Sequence, residues 1–179
     1  MKRLILLLMC LCVQGFIVSY GQSKLYLDSQ LPIETRVHDL LKQMTLEEKA
    51  LQMDNRTPAI PRLNIPAYDW WNEALHGVAR AGLATSFPQP IGLAAGFNPA
   101  SIAKMGQIIS DEARAKYHQF QREGNFGPYT GLTFYSPNIN IFRDPRWGRG
   151  HETFGEDPFL TSRLGVAFVK SMQGMMPNI

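Results

Sequence analysis

Apolar side chains recur at helical spacing near the start of the chain. From Ile33 to Met44 they fall three and four positions apart, which predicts an amphipathic helix. A second, shorter helix is predicted to follow through Leu51 and Met53. Together these two segments are interpreted as an N-terminal element that packs against a larger body.

Two longer helices are predicted further along the chain, each with a recognisable first turn. In Asn98-Pro99 the Asn suits the N-cap and the Pro suits the first helical position, so a helix is expected from there to about Phe120. Asp157-Pro158 repeats this arrangement, and the helix it begins is expected to end near Gly174.

Short extended segments alternate with the helices. Ile139 and Ile141 alternate with polar residues and are interpreted as the buried end of a strand. The strand stops before Pro145, because proline has no N–H to donate to a sheet ladder. Extended segments that alternate with amphipathic helices predict an α/β fold with a largely parallel sheet.

Residues 1–21 have the pattern of a secretory signal peptide. A positive start, Lys2 and Arg3, precedes an apolar run, and small residues surround a cleavage point between Gly21 and Gln22. A membrane anchor is the alternative, but the apolar run is too short to span a bilayer. We expect a linker at 22–32, a folded domain at 33–179, and a secreted or periplasmic protein that leaves the membrane after cleavage.

Charge and composition exclude several partners and cofactors. The formal net charge of +3 includes the two leader cations, so the mature chain is close to neutral and nothing indicates a nucleic-acid partner. Both cysteines fall inside the leader, at Cys10 and Cys12, and the histidines show no ligand spacing. We therefore expect no metal and no cofactor, and the oligomeric state stays open.

The densest group of charged residues lies between Asn138 and Pro158. Most of these side chains are expected to structure the loop through ion pairs and backbone hydrogen bonds. One arginine, Arg149, is expected to face a pocket, because the glycines on either side of it let backbone approach closely. Its five fixed donors suit the neighbouring hydroxyls of a polyol. The residues assigned to loop structure are Arg143, Asp144, Glu152, Glu156 and Asp157.

A second candidate region runs from Tyr68 to Gly77, where aromatic rings lie next to an acid. Proteins hold sugars by stacking rings on C–H faces while a carboxylate accepts from hydroxyls, so Glu73 is the pocket candidate, with Tyr68 and Trp71 beside it. The rings also suit a core, and one of Tyr68, Trp70 and Trp71 is expected to be buried. His76 is assigned a structural role, because no Ser or Cys nucleophile lies near it.

These two regions carry a resemblance to a known family. Trp-Trp-Asn-Glu-Ala-Leu-His-Gly at 70–77 and Asp-Pro-Arg-Trp-Gly-Arg-Gly-His-Glu-Thr-Phe-Gly-Glu-Asp-Pro at 144–158 resemble the N-terminal domain of family 3 glycoside hydrolases, in its β-xylosidase branch. The resemblance covers the chain from about Leu31 onward. It implies a (β/α)8 barrel and a retaining hydrolase that releases a sugar from the non-reducing end of an oligosaccharide. It also implies that Glu73 and Arg149 hold the sugar in the first subsite.

The chain departs from the family in what it lacks. The family's aspartate nucleophile, its acid/base glutamate and a sugar-binding Lys-His pair match nothing here, and such a barrel needs roughly 250 residues. We expect the N-terminal part of a (β/α)8 barrel, incomplete in this chain and inactive alone. A β-glucosidase of the same family and a non-catalytic carbohydrate-binding protein are the alternatives, and reading the gene past Ile179 would discriminate between them.

Overall fold

A computed structural model describes residues 24–174, which fall into two compact units that divide after Thr45. The first unit holds a 3-10 turn at Leu25–Leu27 and helix α1 at Ile33–Gln43. The expected signal peptide lies outside the described residues.

The segment expected to be a linker is partly folded. Tyr26 is buried, its N–H donates to Asp39 Oδ2 over 3.0 Å, and its carbonyl accepts from Arg36 Nε over 3.0 Å. The helix thus supplies both the acceptor and the donor that fix the turn. The linker expectation missed this because both partners lie in the helix that follows.

The second unit is mostly helical. Its two long helices pack against each other, and short turns and strands connect the remaining segments. Within residues 24–174 no helix combines the length and apolar character needed to cross a membrane. The elements are α2 at Leu46–Leu51, β1 at Arg56–Thr57, a 3-10 turn at Pro61–Leu63, β2 at Tyr68–Asp69, α3 at Pro90–Ala94, α4 at Pro99–Arg122, a 3-10 turn at Gly150–Glu152 and α5 at Pro158–Gln173.

Both long helices begin where their capping residues predict. Asn98 Oδ1 accepts from the N–H of Ser101 over 3.1 Å, and Asp157 Oδ1 accepts from the N–H of Leu160 over 2.6 Å. Each cap satisfies an N–H that the first helical turn leaves without a partner. The prediction of both helix starts is confirmed.

The core of the second unit forms where α4 and α5 meet. Gly106 makes a close approach possible, because a Cβ placed there would lie 1.9 Å from Ser171 Oγ. Phe154 joins this core from the loop before α5 and is 2% exposed. The fully buried side chains that α4 and α5 contribute are Ile102, Ile109, Leu164 and Phe168.

The strand expected at Ile139–Ile141 does not form among the described residues. The sheet described pairs β1 with β2 antiparallel, and the parallel contact is one isolated bridge between Asn72 and Phe134. Ile139 is 55% exposed. Its Cδ1 lies so close to Gly165 that a Cβ placed on that glycine would be only 2.6 Å from it. A strand requires a neighbour for its ladder, and no described strand pairs with this segment.

Candidate functional site

The backbone that follows β2 turns its polar side chains inward and its indoles outward. Asp69 and Asn72 are 3% and 1% exposed, whereas Trp70 and Trp71 are 42% and 47% exposed. Asp69 Oδ1 accepts from the N–H of Trp71 over 2.8 Å, which fixes this turn. Neither tryptophan is buried and Tyr68 is only partly buried. No ring of this stretch takes the expected core position, because the inward positions are taken by residues that hydrogen-bond to the backbone.

Asn72 connects this turn to a distant loop. Its Nδ2 donates to the carbonyl of Thr133 over 2.9 Å, and its Oδ1 accepts from the N–H of Gly131 over 2.8 Å. Sequence reasoning assigned Asn72 no role. The available signal was its position directly before Glu73, because a buried amide there fixes the backbone that carries the carboxylate.

Glu73 lies at the surface with both carboxylate oxygens near a partner. Oε1 accepts from Trp71 Nε1 over 3.3 Å, and Oε2 lies 3.9 Å from Arg80 Nε. The side chain is 35% exposed. A carboxylate has about four acceptor positions, so two remain for hydroxyl donors from a ligand.

The ring of Trp71 stands beside this carboxylate. It meets Tyr135 edge to face, with centroids 5.6 Å apart and planes at 68°. The backbone carbonyl of Trp71 accepts from the N–H of Tyr129 over 2.9 Å. The ring is thus held by neighbours and remains half exposed, as stacking on a sugar requires.

Tyr68 is placed differently from the sequence-based assignment. Its hydroxyl accepts from the N–H of Leu132 over 2.8 Å and lies 2.9 Å from Thr133 Oγ1. These contacts join β2 to the same loop that Asn72 holds. We interpret Tyr68 as a structural residue of the site.

Both ring nitrogens of His76 contact the segment directly before α3. Its Nδ1 lies 3.0 Å from the carbonyl oxygen of Phe87, and its Nε2 lies 3.2 Å from Gln89 Nε2. With the Gln89 amide as donor, Nε2 accepts and Nδ1 donates to the Phe87 carbonyl. The imidazole therefore links the segment that follows Glu73 to the residues directly before α3.

Arg149 and Glu152 form an ion pair within the Gly150–Glu152 turn. Nε and Nη2 of Arg149 both donate to Glu152 Oε2, over 2.9 and 2.5 Å. This hydrogen bonding lowers the pKa of Glu152, against the opposing effect of burial. The pKa of Arg149 is raised, mainly by Glu152 and to a smaller extent by the charge of Glu73. The charge of Glu73 therefore acts on Arg149, which is the other predicted subsite residue.

Asp144 pairs with an arginine to which the sequence analysis gave no role. Its carboxylate accepts from the N–H and Nε of Arg146, each over 2.9 Å, and these bonds lower the pKa of Asp144. Arg143 instead donates to Asn140 Oδ1 over 2.7 Å and to the carbonyl of Ile141 over 3.3 Å. Both sets of contacts lie within the loop.

The remaining two loop acids differ from each other. Asp157 caps α5, as described above. Glu156 is exposed and makes no hydrogen bond or ion pair with the described residues. Its assignment to loop structure stays a prediction. The cap at Asp157 and the backbone bond from Phe142 N–H to the Gly155 carbonyl, 3.0 Å long, already hold this end of the loop.

The two glycines beside Arg149 have different roles. A Cβ on Gly150 would lie 2.4 Å from the Phe142 ring, whereas a Cβ on Gly148 would meet nothing within 4 Å. Close backbone approach is therefore required only at Gly150. This packing holds Arg149 next to a buried turn.

A cleft of about 300 Å³ opens beside Glu73 and His76. Its far wall is the loop at 81–86, which α4 holds in place. Glu112 accepts from the N–H of Thr85 over 3.0 Å, and Lys116 donates to the carbonyl of Ala81 over 2.9 Å. Among residues 24–174, no group of three His, Cys, Asp or Glu side chains could hold a metal ion.

Comparison with known sequences decides the family. Residues 30–178 match the "Glycosyl hydrolase family 3 N terminal domain". The chain belongs to glycoside hydrolase family 3. A "Xylan 1,4-beta-xylosidase" of Xylanibacter ruminicola is 48% identical over 176 residues, which are 97% of this chain and 20% of that protein.

Two solved family 3 structures are similar. An exo-β-xylosidase in complex with a xylobiose aziridine probe has a TM-score of 0.74 and 39% identity over 86% of this chain and 20% of that one. A β-glucosidase from Streptomyces venezuelae in complex with D-glucose has a TM-score of 0.61 and 31% identity over 78% of this chain and 17% of that one.

Family 3 membership also establishes the fold class. The fold is α/β, and the matched residues supply the N-terminal part of a (β/α)8-type barrel. The chain spans about a fifth of the length of the curated xylosidase it matches. The extended segment at 139–141, which no described strand pairs with, belongs to this barrel part.

Proposed function

We propose that this chain is the N-terminal part of an exo-acting, retaining β-xylosidase that removes xylose from the non-reducing ends of xylo-oligosaccharides. The observation that carries the proposal is the placement of Glu73 beside the exposed Trp71 ring and within the field of Arg149. A carboxylate, a guanidinium and a ring offer acceptors, donors and a stacking face, which together suit a small sugar. The similar β-xylosidases support xylose as that sugar.

The catalytic carboxyl groups are proposed to lie outside this segment. Retaining hydrolysis needs a nucleophile and an acid/base about 5–5.5 Å apart. Glu152 is neutralised by Arg149, and Glu73 is engaged by Trp71 and Arg80. We assign neither of them to that chemistry, so residues 22–179 alone are proposed to bind sugar without turnover.

A β-glucosidase is the second candidate function. It is favoured by the similarity to the D-glucose complex of a family 3 β-glucosidase. Xylose differs from glucose only in lacking the exocyclic CH2OH group. Discrimination therefore depends on the space beside Glu73 and Trp71, and one such group changes transition-state binding by about 1–3 kcal/mol.

Activity assays with two substrates test this function. The gene is expressed through its own stop codon, and kcat/KM is measured on aryl β-xyloside and aryl β-glucoside, beside residues 22–179 alone. We expect the complete product to prefer the xyloside and residues 22–179 to show no turnover. Preference for the glucoside would favour the second candidate, and turnover by residues 22–179 would contradict the placement of the catalytic carboxyls.

We also propose that the protein is secreted or periplasmic. The support is the leader pattern of residues 1–21. N-terminal sequencing of the protein recovered outside the cytoplasm should begin at Gln22. A cytoplasmic product that retains Met1 would contradict this proposal.

A further inference from the structure

Arg80 lies next to Glu73 without any role in the site described above. Its guanidinium carbon lies 5.3 Å from the centre of the Tyr129 ring, and its Nε lies 3.9 Å from Glu73 Oε2. A guanidinium over a ring is attracted by the negative face of the π system. The ring therefore helps to keep the cation next to the carboxylate.

Backbone conformation gives a second, independent observation. Arg80 and Tyr129 have φ angles of +55° and +65°, in the left-handed region that residues other than glycine rarely adopt. Such strain persists only where surrounding contacts hold it, and it clusters at functional sites. Here those contacts are hydrogen bonds from Ala79 N–H to the Glu73 carbonyl and from Tyr129 N–H to the Trp71 carbonyl, each 2.9 Å long.

Each strained residue thus lies in a turn whose backbone bonds to one of the two residues at the centre of the site. In the first turn Ala79, directly before Arg80, donates to the Glu73 carbonyl. In the second turn Tyr129 donates to the Trp71 carbonyl. The cation–ring contact then joins the two turns on the side of the carboxylate that Trp71 Nε1 does not occupy. One carboxylate oxygen is fixed by the indole and the other faces the guanidinium.

We propose that Arg80, stacked on Tyr129, is a positioning residue that holds the Glu73 carboxylate in the orientation that binds a sugar. This inference rests on the proposed sugar-binding function of Glu73. Because Arg80 acts through Glu73, its loss weakens sugar binding only while Glu73 carries a carboxylate. The guanidinium is 68% exposed, so its effect is moderate.

The test is a double-mutant cycle between Arg80 and Glu73 in the complete gene product. Xylose affinity is measured by calorimetry and as the xylose inhibition constant for aryl β-xyloside hydrolysis. We expect Arg80→Gln to weaken xylose binding about threefold to tenfold. In a Glu73→Gln background the same change should have less than about a twofold effect. An equal effect in both backgrounds, or no effect in either, would overturn the proposal.

Two further variants separate positioning from folding. Arg80→Gly suits the positive φ, so weaker xylose binding at an unchanged or higher melting temperature supports the proposal, and unchanged binding contradicts it. Arg80→Lys keeps the charge without the planar fork and should retain part of the affinity. The matched control is Arg163→Gln, since Arg163 stacks on Phe159 at 5.0 Å on α5 and should leave xylose affinity unchanged.

Failure of the proposed function remains distinguishable from failure of this inference. If the complete product prefers β-glucoside, the cycle is repeated with glucose. Coupling between Arg80 and Glu73 for glucose would keep the positioning role while the xylosidase function is rejected. Xylosidase activity without that coupling would reject the positioning role alone.

Discussion

Asn72 Oδ1 accepts a hydrogen bond of 2.8 Å from the N–H of Gly131, 59 residues further along the chain. A side chain on Gly131 would collide with Asn72 Nδ2, since a Cβ there would lie 2.9 Å from that atom. This contact joins the Glu73 turn to the loop that carries Tyr129 and Tyr135. The relative placement of the carboxylate and the aromatic rings therefore depends on a buried amide that touches no ligand.

Removing the Asn72 side chain should loosen this connection. Asn72→Ala leaves the buried Gly131 N–H and the partly buried Thr133 carbonyl without these partners, which should destabilise the domain by about 1–3 kcal/mol. Urea denaturation followed by tryptophan fluorescence measures the change. The control is Gln107→Ala on α4, which removes an exposed amide and should cost less than about 0.5 kcal/mol. Equal stability of the two variants would contradict the role of Asn72.

The two glycines beside Arg149 should respond differently to alanine. In Gly150→Ala the new methyl would lie 2.4 Å from the Phe142 ring, so overpacking should destabilise by about 1–3 kcal/mol. Gly148→Ala meets nothing within 4 Å and should change stability by less than about 0.5 kcal/mol. Melting temperatures of the two variants test this, and a Gly150→Ala protein as stable as the parent would show that the turn relaxes freely.

Acid should weaken the Arg149–Glu152 pair. The pKa of Glu152 is lower in the fold than in the unfolded chain because Arg149 donates to it. The contribution to stability is therefore complete at neutral pH and is lost as pH falls through the lowered value. Melting temperatures from about pH 6 to pH 3 should fall less steeply in Glu152→Gln than in the parent. Glu156→Gln, without a described partner, should retain the parental slope, and an unchanged slope in Glu152→Gln would contradict the prediction.

Glu73→Asp should shift specificity toward glucosides. The shorter side chain withdraws the carboxylate by one methylene and vacates space for a hexose CH2OH, so the ratio of kcat/KM for glucoside over xyloside should rise by a factor that corresponds to about 1–3 kcal/mol. Hydrolysis of xyloside should weaken, because the acid also loses its 3.3 Å bond from Trp71 Nε1. Glu156→Asp serves as the control. A parental ratio in Glu73→Asp would place specificity in other residues.

The sequence by itself determined the features that depend on near neighbours. The starts of α4 and α5 follow from Asn98 and Asp157, because each cap bonds an N–H three residues away. The local motifs also indicated Glu73 and Arg149 as sugar-binding candidates. In the structure the charge of Glu73 acts on Arg149. The glycines beside Arg149 also indicated a close backbone approach, which the structure shows at Gly150.

Only the tertiary structure decided which side chains face inward. Alternation of residues is the same whether Trp71 or Asn72 points to the core. The choice is made by Gly131, which supplies a donor, and Thr133, which supplies an acceptor. An amide pairs with both, whereas an indole has no acceptor for the Gly131 N–H. Ile139 was expected in a strand, but a strand needs a neighbouring ladder that no local pattern reveals. Contacts between residues far apart in sequence thus determined which side chains are buried. The spacing of residues along the chain had left that choice open.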